Sequence, residues 1–474
     1  MGIGKKFVKY VSQNIFGMLG ISCYVVADTF FISKYAGADG ITVLNLVLPV
    51  FSVIFAFGSM MGVGSAIRFK ILRARGDAHA DDYFSNSIMC ACILSILFIL
   101  VGIFAPDKLL HIMGADDKIT AIGIGYTRTF LMFTPFFMCN YIVSAYVRND
   151  NDPSRAMLAT LSGSLFNIVF DYIFMFPMNL GLLGAAMATA ASPVCSILVC
   201  MTHFMGKKNT VVFKWHLPSF KMLRESCMLG TAAFVGEMAS AVTTTVFNML
   251  MLSLTGNIGV AAYGVVANYA YIGTAIFNGI SQGAQPLISE SYGKGNKKEV
   301  SRVYRYSIIT SVALFAVMYA VVACFTGQLV SLFNSEGVVE LAGYAYTGMR
   351  IYFIGFLFAG FNIISAGYFS AVEMAKESFV VSVLRGFVLM VVISVILSRL
   401  FGMNGVWSSF PAAESITTCV CVLFIILNKQ AIIKTNNNNF FHILANIFFS
   451  FYRNSHYITI IAFVFIIVNI LFCS

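Results

Sequence analysis

Twelve stretches of this chain are continuously apolar over about twenty residues or more, at 10–33, 41–66, 84–105, 120–145, 156–177, 183–205, 227–254, 259–288, 306–326, 344–371, 378–399 and 404–428. A helical run of that length matches the hydrocarbon thickness of a bilayer. Water does not reach that depth to satisfy exposed backbone groups, so spanning segments must be helices or closed barrels. Barrel strands would read as ten-residue alternating segments, which these are not. The pattern predicts an all-α integral membrane protein with twelve transmembrane helices. Composition agrees: 11% of residues are charged, against about 25% in soluble domains.

A formal net charge of +10 would by itself fit a nucleic-acid binder, but its placement argues otherwise. Alternate loops and the two ends of the span region hold 22 Lys and Arg, and the intervening loops hold four: Lys34, Lys108, Lys118 and Arg399. By the positive-inside rule, the N-terminus and the end of the twelfth span lie in the cytoplasm. Lys5, Lys6 and Lys9 precede an apolar run too long for a signal core, so the first span is expected to be retained. Among the eleven cysteines, Cys90/Cys92 and Cys419/Cys421 have one residue between them, the wrong spacing for a zinc or redox CxxC. The six histidines sit in loops or at span ends and suggest no metal cluster.

The halves resemble each other. Gly40, Gly64 and Gly76 recur as Gly259, Gly283 and Gly295 at an offset of 219, and Gly181 and Gly184 recur as Gly402 and Gly405 at an offset of 221. Ser144-Ala145 likewise recurs as Ser365-Ala366. Six spans per repeat is an even number, so the expected arrangement is two parallel six-helix repeats. The expected division is an N-terminal six-helix lobe (1–205), a basic cytoplasmic linker (206–226), a C-terminal lobe (227–428) and a tail (429–474) with a further apolar stretch near 457–472. Pro49, Pro135, Pro286 and Pro411 interrupt spans and are expected at kinks.

Four carboxylates sit inside the spans: Asp28, Asp171, Glu237 and Glu414. An unpaired charge at that depth costs several kcal/mol or more, and such residues mark ion or substrate paths. Four of them, spread over both halves, suggest cation-coupled transport. Asp28 and Asp171 fall at similar depth in the outer part of the first lobe, and Asn167 lies one turn before Asp171 on the same face. Two carboxylates and an amide suit a hard cation such as Na⁺, or a proton shared between close carboxylates. Glu237, Glu414 and Arg385 form a possible second-lobe cation or substrate site, with a Glu237–Arg385 ion pair the structural alternative. Arg128 and Arg350, nearer span ends, are expected to snorkel. Some of the 24 Met and 46 Phe would suit a cavity for apolar cations.

Several segments together carry a family resemblance. They are VVADTFFISKYAG around Asp28, RNDNDPSRAM from Arg148 to Met157, NIVFD from Asn167 to Asp171, GVAAYGVVANYAYI, ISQGAQPLISESYGKGN from Ile280 to Asn296, and GVWSSFPAAE ending at Glu414. Over about residues 5–428 the chain resembles the MATE (multidrug and toxic compound extrusion) transporters, most of all the bacterial branch. The resemblance implies two lobes around a V-shaped cleft, alternating access, and export of drugs, often cationic and amphipathic, in exchange for H⁺ or Na⁺. It places the family's first-helix Asp at Asp28, its fifth-helix Asn and Asp at Asn167 and Asp171, and a seventh-helix acid at Glu237. Ion binding at the first three would favour the outward-open, substrate-releasing state. Where bacterial relatives often carry a first-helix proline this chain has Gln13, against a bend-and-straighten mechanism there. The implied protein is a monomer in the cell membrane, with small-molecule substrates and the lipid bilayer as partners, no nucleic acid and no cofactor beyond the coupling ion. The chief alternative is a lipid-linked oligosaccharide flippase, which would need basic residues in its cavity. An enzyme would need convergent catalytic groups and a channel a filter-like repeat, and the sequence displays neither.

Overall fold

The secondary structure is all helical in a computed structural model that describes residues 2–334 and 337–428. In chain order the helices are α1 (Ile3–Arg75), α2 (Asp82–Phe104), α3 (Pro106–Ile112), α4 (Asp117–Met132), α5 (Thr134–Asn149), α6 (Pro153–Met175), α7 (Gly181–Phe204), α8 (Phe220–Gly293), α9 (Lys297–Ser331), α10 (Val339–Tyr352), α11 (Gly355–Ala371), α12 (Ala375–Val383) and α13 (Leu389–Leu427). A five-residue π-helical turn, Leu384–Val388, joins the last two. By length and composition, eight described helices could cross a bilayer, or ten if each of two bent pairs is one span. The apolar stretch near 457–472 lies outside the described residues.

The longest helices are not single rods. At about 1.5 Å per residue the 74 residues of α8 would extend about 110 Å, several times the membrane core. One glycine leaves helical geometry inside each of α1, α8 and α13: Gly37 (φ 57°, ψ −141°), Gly256 (φ 68°, ψ −152°) and Gly402 (φ 56°, ψ −135°). A side chain is strongly disfavoured in that region of backbone space. Three residues beyond Gly402 the chain has folded back so closely that a Cβ on Gly405 would sit 1.8 Å from the Leu397 carbonyl oxygen. These breaks fall where the sequence placed the gaps between its first and second, seventh and eighth, and eleventh and twelfth spans.

The expected fourth and tenth spans are each two helices. α4 and α5 meet at 45°, with Pro135 in the first turn of α5, and α10 and α11 meet at 47° with no proline at the break. Pro49, Pro286 and Pro411 lie inside α1, α8 and α13, where the backbone keeps helical dihedral angles. The short helix α3 carries no apolar-run signal and was not anticipated.

Backbone geometry repeats along the chain. Among the described residues all eight positive-φ glycines pair up as Gly37/Gly256, Gly76/Gly295, Gly114/Gly337 and Gly181/Gly402, at offsets of 219, 219, 223 and 221 residues. Asn151 (φ 65°) and Glu373 (φ 63°), two of the three non-glycine residues with positive φ, are 222 apart.

Two large buried clusters form the interior. One is built from residues between Ile32 and Val211, the other from residues between Phe247 and Ile425 together with Phe7, Tyr10 and Val11. α1 and α8 join them. A Cβ on Gly64 would lie 1.8 Å from the Ser226 carbonyl oxygen, and one on Gly230 1.9 Å from that of Met60. Gly279 abuts Ile15, Gly283 abuts Val11, and Gly293 abuts Ala74. All five approaches lie toward the end that carries the basic loops. Charges reinforce the seam there. Arg68 pairs with Glu225 (3.2 Å) and with Glu373, Arg75 pairs with Glu373 (2.7 Å), and Lys70 pairs with Glu290 (3.2 Å).

Gly405→Ala places a methyl group where backbone already stands. The expected cost is about 1–3 kcal/mol, the usual range for overpacking, read as a lower thermal midpoint of the purified protein. An unchanged midpoint would show that the turn at Gly402 is looser than drawn.

Candidate functional site

Asp28 stands on α1, and Asn167 and Asp171 stand one turn apart on α6. Their side chains converge in the first half. Asp28 is 8% exposed, and Asn167 and Asp171 are fully buried. The Asn167 amide Nδ2 donates to Thr189 Oγ1 of α7 at 3.1 Å. Asp28 Oδ1, both carboxyl oxygens of Asp171 and Asn167 Oδ1 are buried without a hydrogen-bond partner. The two carboxyl groups lie within hydrogen-bonding reach of each other, a contact that needs one proton held between them. Unsatisfied buried acceptors are rare and costly. Four of them, three from carboxylates and one from an amide, are the donor set of a hard cation or of a proton-sharing pair. Among the described residues no group of three or more His, Cys, Asp or Glu could hold a metal ion, so any metal here would draw on the amide as well. Thr189 and Tyr126 of α4, which is buried close to both acids, complete the surroundings. Sequence reasoning passed over both, because neither carries charge.

The second-half residues divide differently. Glu414 of α13 is 1% exposed and fully engaged. It accepts from Arg385 Nη2 at 2.7 Å, from Arg385 Nε at 3.1 Å and from Asn362 Nδ2 of α11 at 2.7 Å. Thr418 Oγ1 donates to Asn362 Oδ1 at 3.1 Å and fixes that amide. Arg385 therefore pairs with Glu414, and the expected Glu237–Arg385 pair is not formed. The reason is local: Arg385 and Glu414 stand on the two arms of the hairpin that turns at Gly402. Arg385 also sits in the π-helical turn, whose extra residue per turn changes the direction of the side chains after α12.

That leaves Glu237 alone. It lies half-buried on α8, with no hydrogen-bond or ion-pair partner among the described residues. Three tyrosines lie within its electrostatic reach: Tyr24 of α1, Tyr141 of α5 and Tyr271 of α8. Tyr24, one turn before Asp28, is also within electrostatic reach of Asp28 and Asp171. Nearby, Phe57 of α1 and Phe234 of α8 meet edge-to-face across the seam, ring centres 5.3 Å apart.

The RNDNDP segment between α5 and α6 acts as a structural hub. Buried Arg148 donates from Nη1 to Asn14 Oδ1 at 2.8 Å, and Lys70 donates to Asn151 Oδ1 at 3.0 Å. His203 lies between Asp150 (2.9 Å) and Asp152 (3.3 Å). Burial works against the Asp150 carboxylate, yet hydrogen bonds from His203 and Thr210 hold its pKa below the ordinary value. Gln13, at the position where a proline was expected of relatives, donates to Ser154 Oγ at 2.8 Å and ties α1 to α6.

Comparison with known proteins places the sequence in a family and the fold beside solved structures. The MatE family model matches residues 14–173 and 233–396. The chain is 26% identical over 429 residues to the multidrug export protein MepA of Staphylococcus saprophyticus and 27% identical over 430 residues to that of Staphylococcus aureus (strain MRSA252). Each alignment spans 90% of this chain and 94% of the relative. A structure described as the outward-facing conformation of a multidrug resistance MATE family transporter of the MOP superfamily superposes with a TM-score of 0.85 at 23% identity, covering 92% of this chain and 98% of that one. A MOP superfamily transporter from Pyrococcus furiosus superposes with a TM-score of 0.83 at the same identity and coverage.

The two kinds of buried acid should respond oppositely to substitution. Arg385→Ala strands the Glu414 carboxylate, and the loss of one partner of a buried pair costs about 3–5 kcal/mol. Asp28→Asn removes a charge that has no partner and should leave the thermal midpoint unchanged or raised. Equal destabilisation by both substitutions would mean that Asp28 is a packing residue.

Proposed function

Because the chain belongs to the MATE family, whose members are transporters and not enzymes, we propose that it is a cation-coupled antiporter exporting drugs and other amphipathic, often cationic, small molecules across the cell membrane. The observation that carries this reading is the set of four unpartnered oxygens of Asp28, Asn167 and Asp171, buried on helices that belong to a membrane transporter. In this reading H⁺ or Na⁺ binds there and stabilises the outward-open conformation. Coupling requires only that the ion's affinity differ between two conformations. Glu237, half-exposed and flanked by tyrosines, supplies a carboxylate and aromatic faces for a cationic substrate. The naming of MepA relatives as multidrug export proteins supports the same substrate class.

The proposed architecture is twelve transmembrane helices in two parallel six-helix repeats, with lobes at 1–205 and 227–428 joined by the linker 206–226. Three observations support it: the glycine breaks that divide α1, α8 and α13, the positive-φ positions recurring about 220 residues apart, and the two matched stretches of one family model, whose starts are 219 residues apart. The basic-loop bias supports a cytoplasmic N-terminus. The α1–α8 seam then closes the cytoplasmic side and leaves the cleft open outward. A monomer suffices for this mechanism. The flippase alternative loses its main support, since the intramembrane cation it would use, Arg385, is neutralised by Glu414.

Purified protein in liposomes, given a pH gradient and a Na⁺ gradient separately, should move ethidium under one of them. Asp28→Asn should reduce that flux to the protein-free rate. Undiminished gradient-driven flux in the variant would remove Asp28 from coupling. Separately, Glu373→Gln removes the negative charge shared by Arg68 and Arg75. A partly exposed pair of this kind is worth up to about 1 kcal/mol, or about fivefold in the closed-to-open ratio. Faster amide hydrogen exchange at 68–75 and 220–226 is the expected readout, and unchanged exchange would show that glycine packing alone holds the seam.

A further inference from the structure

Between α7 and α8 the chain runs from 206 to 219 without regular secondary structure, yet its backbone is pinned. Lys214 N donates to Ser85 Oγ at 2.8 Å, Ser219 N to Asn86 Oδ1 at 2.6 Å, and Val212 N to Asp81 Oδ1 at 3.4 Å. His216 Nε2 lies 3.2 Å from the Asp82 carbonyl oxygen, and Arg73 donates to the Thr210 carbonyl. These bonds lay the linker along the first turn of α2. Further along, α2 turns Ile93, Ile96 and Leu97 outward, as a lipid-facing helix does.

With its backbone held, the linker presents large apolar side chains to the outside. Trp215 is 85% exposed, Leu217 90% and Phe220 80%. Exposed basic residues stand among them: Lys207, Lys221 and Arg224, together with Lys208, 3.8 Å from Asp152, and Lys214, 3.4 Å from Asp82. Water is a poor surrounding for a fixed Trp-Leu-Phe surface. Tryptophan beside basic residues at the ends of spans is the composition of a membrane–water boundary. Basic clusters immediately cytoplasmic of a span attract anionic headgroups.

We propose that the linker is a docking surface for anionic phospholipid of the adjacent leaflet. Trp215, Leu217 and Phe220 enter the boundary between headgroups and acyl chains, and the surrounding lysines meet the lipid phosphates. Charge complementarity and the position at the end of α2 select lipid as the occupant. The site bears on the lobes as well. The linker is bonded to α1 and α2 of the first half and continues directly into α8, where Glu225 pairs with Arg68. This inference rests on the membrane reading of the helices and is independent of the coupling ion and the exported substrate.

The chain contains two tryptophans, and Trp407 is fully buried. The difference in fluorescence between wild type and Trp215→Phe therefore isolates Trp215. In liposomes carrying acyl-brominated phosphatidylcholine or, at the same mole fraction, acyl-brominated phosphatidylglycerol, both lipids should quench the Trp215 signal, and the anionic one more strongly. The combined substitution of Lys207, Lys208, Lys214 and Lys221 by Gln should abolish that difference. Equal quenching by both lipids in wild type would overturn headgroup recognition. Quenching by aqueous acrylamide and by neither lipid would overturn docking altogether. The wild-type comparison of the two lipids stands even if the substituted protein does not fold.

Discussion

A charge at hydrocarbon depth has no solvent to turn to, and this constraint sorts every intramembrane ionisable group in the protein. Glu414 meets it with an arginine and an amide, and Asn362 is in turn held by Thr418. Such a closed set is rigid and chemically quiet, because each group already has its partners. Asp28 and Asp171 do not meet it. They retain oxygens without donors in a place where nothing but the protein, a proton or a metal cation can supply one. Stability alone would not retain such a pair, since two apolar side chains would pack there at lower cost. The absence of other partners is therefore the main support for the ion-binding role proposed for these acids.

The seam between α1 and α8 follows from a different economy. Glycines at 64, 230, 279, 283 and 293 let backbones approach until a single methyl group would collide. Close backbone contact of this kind gives dispersion energy without interlocked side chains. Two smooth surfaces can separate and re-form with little repacking, as the alternating access proposed above would require. The ion pairs sit beside it and not within it. Arg68, Arg75 and Glu373 are all partly exposed, so water can take over their hydrogen bonds when the halves part, and the barrier to opening stays modest.

Much of this was legible in the sequence, for reasons that differ by feature. The spans showed because hydropathy is set residue by residue. The turns at Gly37, Gly256 and Gly402 fall in gaps between spans that hydropathy marks, but of the three glycines only Gly402 stood out in the sequence, through its match to Gly181. Asp28, Asn167 and Asp171 could be grouped because depth and helical phase follow from counting along α1 and α6. The partner of Arg385 was not legible. Depth left Glu237 and Glu414 equally eligible, and the choice depends on the hairpin at Gly402 and on a π-helical turn that no composition signal marks. The bend between α10 and α11 was hidden as well, because no proline announces it. Thr189 and Tyr126 escaped because uncharged neighbours of an ion site resemble ordinary packing residues.

The proposed repeat carries one further consequence. At the local offset of 219, Asp28 corresponds to Phe247, which is fully buried in the second-half core. At the local offset of 221, Asn167 and Asp171 correspond to Val388 and Val392, and Glu414 corresponds to Pro193 in the middle of α7. The backbone was kept across the halves while the charged chemistry was not. In the second half the counterpart of the acidic site is apolar, and the acid that remains in that interior is locked to an arginine. A transporter of two equivalent ion sites would have preserved the carboxylates in both. On the function proposed above, this pattern favours the first half for ion binding and leaves Glu237, on the first helix of the second half, for the substrate.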